Sequence, residues 1–397
     1  MNLPFRTVEE LDVQGRRVLV RVDFNVPQTD DGRILDDTRI QAAMPTINYL
    51  REKQARIILC SHLGRPGGVE DEKYSLMPIG ERLAEIIGDE VIFPESCVDD
   101  ASHKLSRGMR DGQIMLLENL RFHEGETTND EKFAEGLSRL ADIYVSEAFG
   151  ACHRAHASVD ALARSFRERG AGFLVVRELE MLQRLLDKPE KPFLIAMGGA
   201  KVKDKLPLIR NLLPRIDTLI LGGALSYTFL KALGHPVGRS RVEEGCISKA
   251  SDILARAKDL GVKVMLPQDH VVVDELKEDA SYQVVSKASH PDHSMAVDIG
   301  PKTREEFRTA ILEARTIFWN GPMGVYEHPV FAEGSNAVAR AVADANAFTV
   351  VGGGDSAAAI RKSGLAPFID HISTGGGASL EFLEGKKLPG VEAIHLD

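Results

Sequence analysis

Short apolar, β-branched runs alternate along this chain with stretches whose apolar residues recur at helical spacing. In the first half the runs are Arg17–Val22, Arg56–Cys60, 114–118 and 143–145. A helical stretch at 39–50 follows the first of them, with Asp37 and Thr38 as candidate caps. In the second half the runs are Phe193–Met197, 219–221, 348–351 and 371–374. Strands alternating with helical stretches predict parallel sheets with helices on both faces. Between the halves, Leu174, Val175, Leu179, Leu182, Leu185 and Leu186 mark one long helix over Phe173–Asp187, which Pro189 and Pro192 stop.

The expected fold is therefore α/β: two Rossmann-like domains with parallel sheets, joined by a long helix and a hinge. The first domain is expected over 1–172, the interdomain helix over 173–187 and the second domain over 188–378. Hinge points are expected at the two ends of the helix, around 170–172 and 188–192.

Each apolar run of the second half stops at glycines and then turns helical. The turns are Gly198-Gly199-Ala200-Lys201, Gly222-Gly223-Ala224, Gly352-Gly353-Gly354-Asp355-Ser356 and Gly375-Gly376-Gly377-Ala378-Ser379. A glycine has no Cβ to keep a phosphate off the backbone, and the first N–H groups of a helix point at an anion. One such turn is common αβ geometry. Four in one half of a chain suggest a strand edge built for a polyphosphate.

Composition narrows the classes. At 397 residues the chain exceeds what one hydrophobic core usually serves. A net charge of −10 argues against a nucleic-acid partner, although not against a local basic pocket. No apolar stretch approaches ~20 residues, so no membrane span is expected. Met1-Asn2-Leu3-Pro4-Phe5-Arg6 carries no apolar export core. Cys60, Cys97, Cys152 and Cys246 are too scattered for a zinc or disulfide framework and read as small buried thiols in a reducing compartment.

Ligands of open αβ sheets sit at the carboxyl ends of the strands. In the first half those ends present Asp23, Asn25, His62, Arg65, Arg121, Arg154 and His156, and Arg39 opens the first helix. Clustered guanidinium groups suit a small, multiply charged anion. In the second half the ends present glycines, Lys201, Lys205 and Asp355, a set suited to a nucleotide polyphosphate with magnesium. Each residue alone has a plainer reading: a lone arginine is a solvated charge, and Lys201 and Lys205 are neighbours one helical turn apart. His153 and His156 lack a third ligand for a metal. No G-x-x-x-x-G-K-[ST] loop, G-x-G-x-x-G spacing, H-R-D, D-F-G or G-x-S-x-G stands in a fitting context. Two anion sites in two halves point to phosphoryl transfer.

Taken in order, the motifs resemble the phosphoglycerate kinase family almost end to end. The first half carries Arg21-Val22-Asp23-Phe24-Asn25-Val26-Pro27, Ser61-His62-Leu63-Gly64-Arg65-Pro66, Leu117-Glu118-Asn119-Leu120-Arg121-Phe122 and His153-Arg154-Ala155-His156-Ala157-Ser158. The second half carries Gly198-Gly199-Ala200-Lys201-Val202 with Lys205, Trp319-Asn320-Gly321-Pro322-Met323-Gly324 and the two triple-glycine turns. The resemblance implies reversible phosphoryl transfer from 1,3-bisphosphoglycerate to ADP, giving 3-phosphoglycerate and ATP, with Mg²⁺. It implies that Asp23, Asn25, Arg39, His62, Arg65, Arg121 and Arg154 bind the phosphoglycerate. It places the nucleotide against Gly198, Gly199, Lys201, Lys205, Gly300, Glu327, Gly353, Gly354, Asp355 and Ser356, with Asp355 at the metal. Arg39, Lys205 and the amides of Gly375, Gly376 and Gly377 would stabilise the transferring phosphoryl group. The resemblance also returns 379–397 to the first domain, and a cytoplasmic monomer without nucleic-acid or membrane partners is expected.

Three departures from the family pattern stand out: Ser146-Glu147 in place of Asn-Asp, Ala224 in place of a third glycine, and Lys203 in place of a small residue. The acceptor is a carboxylate, ionised at neutral pH, so no general base is expected. A non-catalytic phosphosugar-binding protein would keep the arginines but lose Lys205, Asp355 or the glycine turns. A nicotinamide-dependent dehydrogenase would want the dinucleotide fingerprint that is absent.

Overall fold

Two separate parallel sheets organise the chain in this computed structural model, which describes residues 4–29, 32–277 and 280–396. The first has seven strands: β1 (Arg6–Thr7), β2 (Arg17–Val22), β3 (Arg56–Cys60), β4 (Val91–Ile92), β5 (Ile114–Leu116), β6 (Ile143–Glu147) and β7 (Arg169–Ala171), in the order β1-β7-β6-β2-β3-β5-β4. Every pairing is parallel. The connecting helices are α1 (Thr38–Glu52), α2 (Met77–Ile87), α3 (Asp100–Gly108), α4 (Glu124–Thr127), α5 (Glu131–Ser138) and α6 (Ala161–Ser165).

The inner strands β2, β3, β5 and β6 are buried on both faces, which is why they read as continuous apolar runs and not as alternating ones. Val18, Val20, Ile57, Leu59 and Val145 share one core with Ile40, Ile47 and Leu50 of α1. Leu19, Ile58, Met115 and Tyr144, pointing the other way, are equally inaccessible. Asp37 stands at the N-cap of α1 but its side chain accepts from Arg82, at 2.8 and 3.1 Å. The neighbouring Asp36 takes the Thr38 N–H instead, at 2.8 Å.

The long helix α7 spans Phe173–Asp187, the range its periodicity predicts. Beyond it lies a six-stranded parallel sheet of β8 (Phe193–Met197), β9 (Thr218–Leu221), β10 (Lys263–Met265), β14 (Thr316–Asn320), β15 (Phe348–Gly352) and β16 (His371–Ile372), ordered β10-β9-β8-β14-β15-β16. A second sheet was not expected: β11 (Asp269–Val273), β12 (Gln283–Ser286) and β13 (Met295–Ile299) pair antiparallel in the order β12-β11-β13. The helices here are α8 (Val202–Leu212), α9 (Gly223–Ala232), α10 (Ile247–Asp259), α11 (Pro301–Glu313), α12 (Glu333–Asp344), α13 (Gly354–Lys362) and α14 (Gly377–Leu383), with α15 (Pro389–Glu392) near the C-terminus.

The chain divides into two compact units, Met1–Leu179 with Lys387–Asp397 and Glu180–Lys386. The division falls inside α7, not at its ends. The return to the first unit begins at Lys387, not at 379, because α14 packs on α8 and Asn211 Nδ2 donates to the Leu383 carbonyl at 2.6 Å. Past that point Gly390 N–H donates to Cys152 O at 2.9 Å. All four cysteines are buried and unpaired.

Candidate functional sites

In the first unit the carboxyl ends of β2, β3, β5 and β6 converge with the start of α1. Asp23 and Asn25 follow β2. Arg39 Nη1 donates to both Asp23 oxygens at 3.0 Å and to the Asn25 carbonyl at 3.1 Å. The Asn25 side chain accepts from Gly64 N–H at 3.0 Å, joining the β2 and β3 loops. Asn119, after β5, accepts from the N–H groups of Leu63 and Arg121 and donates to the carbonyls of Leu63 and Tyr74. Arg65 and Arg154 are exposed, and Arg121 is buried with its Nε lacking a hydrogen-bond partner.

The electrostatics confirm that these cations share one space. Burial, followed by Arg21 and Arg154, lowers the Arg121 guanidinium to about 10, with Arg65 adding to the effect. Burial and then Arg21, Arg121 and Arg39 hold His62 well below its ordinary range, so its imidazole is neutral. His62 Nδ1 lies 3.2 Å from Arg21 Nη2, which makes Nδ1 the acceptor and leaves the proton on Nε2. His156 falls to about 4, first through burial and then through Arg121 and Arg21. Asp23, Asn25, Arg39, His62, Arg65, Arg121 and Arg154 thus surround one strand edge.

Behind this layer lies a buried support that the sequence reading did not single out. Arg21, inside β2, is 1% exposed and donates to Ser158 Oγ at 2.7 Å. Ser158 donates from its hydroxyl and its N–H to Glu126, at 2.7 and 2.9 Å, and Glu126 lies 3.9 Å from Arg21. One buried carboxylate therefore offsets Arg21 and Asp23 pairs with Arg39, while Arg65 and Arg154 have no ion pair among the described residues.

In the second unit the four glycine turns divide into two kinds. The first two are consumed by the fold. Gly198 and Gly199 donate to the carbonyls of Asn320 and Pro322, at 2.9 and 2.7 Å, and Gly223 donates to Met323 O at 3.0 Å. A Cβ on Gly198 or Gly223 would strike the Pro322 carbonyl. The start of α8 is occupied too: the Glu243 carboxylate accepts from Val202 N–H at 2.9 Å and Lys203 N–H at 3.0 Å. The expectation that these helical amides face an anion is corrected here, because a side chain already caps them. Gly300 is likewise a packing position at the start of α11, where Asp269 accepts from Lys302 and Thr303 N–H and leaves no room for a Cβ.

The last two turns are open. Gly354 and Asp355 begin α13 and are exposed, and the first N–H groups of a helix have no acceptor within it. Gly375 N–H donates to Ser373 Oγ at 3.1 Å, while Gly376, at φ +52°, and Gly377 lead into α14. Lys205, on α8, is buried; its ammonium donates to Gly198 O and, at 3.3 Å, to Asn320 O. Burial lowers it to about 8, against the attraction of Asp355 and Asp204. Ser356 Oγ accepts from Gly321 N–H at 2.5 Å, fastening the α13 start to the loop after β14. Lys201 and Glu327 are exposed. Asn320 emerges as a further candidate: it is 3% exposed, its Nδ2 has no hydrogen-bond partner, and that nitrogen sits 2.8 Å from where a Cβ on Gly353 would stand.

A sequence model described as phosphoglycerate kinase matches residues 8–386. The chain belongs to the phosphoglycerate kinase family. The phosphoglycerate kinase of Anaeromyxobacter sp. strain K is 50% identical over 395 residues, covering 99% of this chain and all of that protein. That of Moorella thermoacetica is 51% identical over 388 residues, 98% of each chain. Among solved structures, phosphoglycerate kinase from Coxiella burnetii aligns with a TM-score of 0.88 at 38% identity, covering 98% of this chain and 99% of that one. The enzyme from Pyrococcus horikoshii OT3 aligns at 0.83 and 33%, covering 98% of each.

Family membership makes this chain a kinase. The Ser146-Glu147 departure from the phosphoglycerate kinase pattern is absorbed internally: Glu147 is fully buried and accepts from Thr46 Oγ1 at 2.6 Å and from Leu174 N–H at 3.2 Å. No described helix is long and apolar enough to cross a membrane.

Proposed function

We propose that this chain catalyses reversible phosphoryl transfer between 1,3-bisphosphoglycerate and ADP, giving 3-phosphoglycerate and ATP, as a step of glycolysis. The observation that carries the assignment of the acid substrate is the excess of positive charge around Arg121, where Arg21, Arg154 and Arg65 face the single carboxylate of Glu126. A buried guanidinium surrounded by three further arginines, with one nitrogen unpartnered, is relieved by a bound phosphate and carboxylate. Arg65, Arg121 and Arg154 would hold the phosphate end, with neutral His62 as a hydrogen-bond donor. Asp23 and Asn25 act on this substrate chiefly by aiming Arg39.

The nucleotide is assigned to the second unit. Its phosphates would meet the open start of α13, the Asn320 amide and Lys205, with Gly198, Gly199, Lys201, Gly300 and Glu327 shaping the surround. The reacting carboxylate is already ionised, so the residues align groups and stabilise charge without moving a proton. Lys205, Arg39 and the amides of Gly376 and Gly377 supply that stabilisation.

Magnesium fits this donor set in one way only. Among the described residues no cluster of three or more His, Cys, Asp or Glu side chains is placed to hold a metal ion. Asp355 is a lone exposed carboxylate at the α13 start, which suits Mg²⁺ arriving with the nucleotide phosphates and retaining its waters. When bound, the ion neutralises phosphate charge. We further propose a cytoplasmic monomer. A coupled assay with 3-phosphoglycerate and MgATP, trapping the acyl phosphate, tests the reaction; no acyl phosphate above background would refute it.

A further inference from the structure

A second basic surface lies on the second unit, along the outer faces of α8 and α10. Helices α8 and α10 each present an i, i+3, i+4, i+7 face to a shared groove of about 350 Å³. On α8 the outer positions are Lys203 and Arg210; on α10 they are Lys249 and Arg256. Between them the floor is apolar, formed by Leu206, Pro207 and Ile253. Among the described residues none of the four cations forms an ion pair. The only carboxylate lining the groove is Asp252, and the nearby Glu243 has its oxygens engaged by the amides of Val202 and Lys203. In a chain of net charge −10, four cations against Asp252 in the groove and Glu243 at its lysine end form a local reversal of sign.

The cations are also arranged in two pairs. Each helix runs back from the carboxyl edge of the parallel sheet towards its amino edge, α8 entering β9 and α10 entering β10. Lys203 and Lys249 therefore share one end, and both act electrostatically on Cys246 there. Arg210 and Arg256 share the other. Seven residues of helix separate the ends by about 10 Å.

We propose that this groove binds a small metabolite with a phosphate at each end and a short neutral or apolar middle. The lysine pair takes one phosphate, the arginine pair grips the other, and the body lies over Leu206 and Ile253. Lys203, the residue that departs from the family pattern between Lys201 and Lys205, supplies half of the lysine end. Lys201 and Lys205 do not line this groove, and only the filling of the substrate sites and the turnover readout in the test rest on the proposed function.

The test uses hexane-1,6-diol bisphosphate and calorimetry on the full chain saturated with 3-phosphoglycerate and MgADP, so that the substrate sites are filled. One further equivalent should bind. Hexyl phosphate, with a single charged end, should bind at least tenfold more weakly. The variants Lys203→Gln/Lys249→Gln and Arg210→Gln/Arg256→Gln should each weaken the bisphosphate at least tenfold while keeping parental turnover. Absence of a further equivalent, equal affinity for the two probes, or parental affinity in both double variants would overturn the proposal. Turnover reports folding of each variant separately, and the two variants test the two ends independently.

Discussion

Both carboxylate oxygens of Asp23 lie 3.0 Å from the same guanidinium nitrogen of Arg39. The arginine is therefore aimed before any ligand arrives, with the Asn25 carbonyl as a third contact. Arg39→Ala should lower kcat by on the order of 10²-fold while weakening phosphoglycerate binding far less. Asp23→Ala should give a smaller loss in kcat, and the double variant should be scarcely worse than Arg39→Ala, because one change acts through the other. Steady-state kinetics with calorimetric binding decide the matter. A loss confined to KM would make Arg39 a ground-state ligand, and additive losses would detach Asp23 from it.

Lys205 predicts a pH limb. Its ammonium is held among backbone carbonyls, and burial lowers it to about 8. The charged form is the useful one, so kcat/KM should fall as pH rises through about 8. Nucleotide phosphates favour the charged form, so the corresponding limb in kcat should lie at higher pH. Lys205→Met should cost on the order of 10²- to 10³-fold in kcat. Lys205→Arg should not restore activity, since Gly199 and Gly321 bring backbone against the ammonium and leave no room for a guanidinium. A flat kcat/KM profile up to pH 10 or an active arginine variant would show that the charge is not needed.

What the sequence disclosed, and what it hid, follows from where each residue finds its partner. Most of the longer parallel strands were legible because burial on both faces writes them as unbroken apolar runs, but β14, buried throughout, was not read, nor were the short β1, β4, β7 and β10. Strand β12 was not: Gln283, Val284 and Ser286 are exposed, and nothing in their pattern demands a sheet. The cation set around Arg121 was legible because strand ends are where αβ folds place ligands. Arg21 was hidden inside one of those runs, and its compensating Glu126 lies on another element with no local sign of the pairing. The glycine turns looked equivalent in sequence. Two are closed, by Glu243 forty-one residues from Val202 and by carbonyls of the loop after β14, and no local pattern reveals so distant a cap.

Asp355 separates metal dependence from folding. It is exposed at the start of α13, where it accepts from Tyr326 Oη at 3.5 Å. Without metal its charge would repel nucleotide phosphates; Asp355 would help hold Mg²⁺, which would offset that repulsion. Asp355→Asn should therefore raise the Mg²⁺ concentration needed for half-maximal turnover and lower kcat, while metal-free ATP binds at least as well as to the parent. Magnesium titrations of turnover and calorimetry with metal-free ATP read the two effects. Parental Mg²⁺ dependence would remove Asp355 from the metal.

Glu147 carries a stability prediction. It is fully buried at the end of β6, where Thr46 of α1 and the first turn of α7 both donate to it, and a Cβ on Gly172 would collide with its carboxylate. Burial raises its carboxyl from 4.5 to about 8, in spite of those hydrogen bonds. Below pH about 4.5 the group is protonated whether the chain is folded or not. Between about 4.5 and about 8 the unfolded chain releases the proton and the folded chain keeps it, so each rise in pH favours unfolding. Above about 8 both states are ionised and the loss is complete. The parent should accordingly lose Tm across that interval through this group. Glu147→Gln keeps the shape and an acceptor without the charge, so its Tm should fall less over the same interval and exceed the parental value at pH 8. Scanning calorimetry of both proteins from pH 5 to 9 measures the difference. Parallel Tm profiles would mean that Glu147 is ionised in the folded chain and that Thr46 and the Leu174 N–H stabilise its charge.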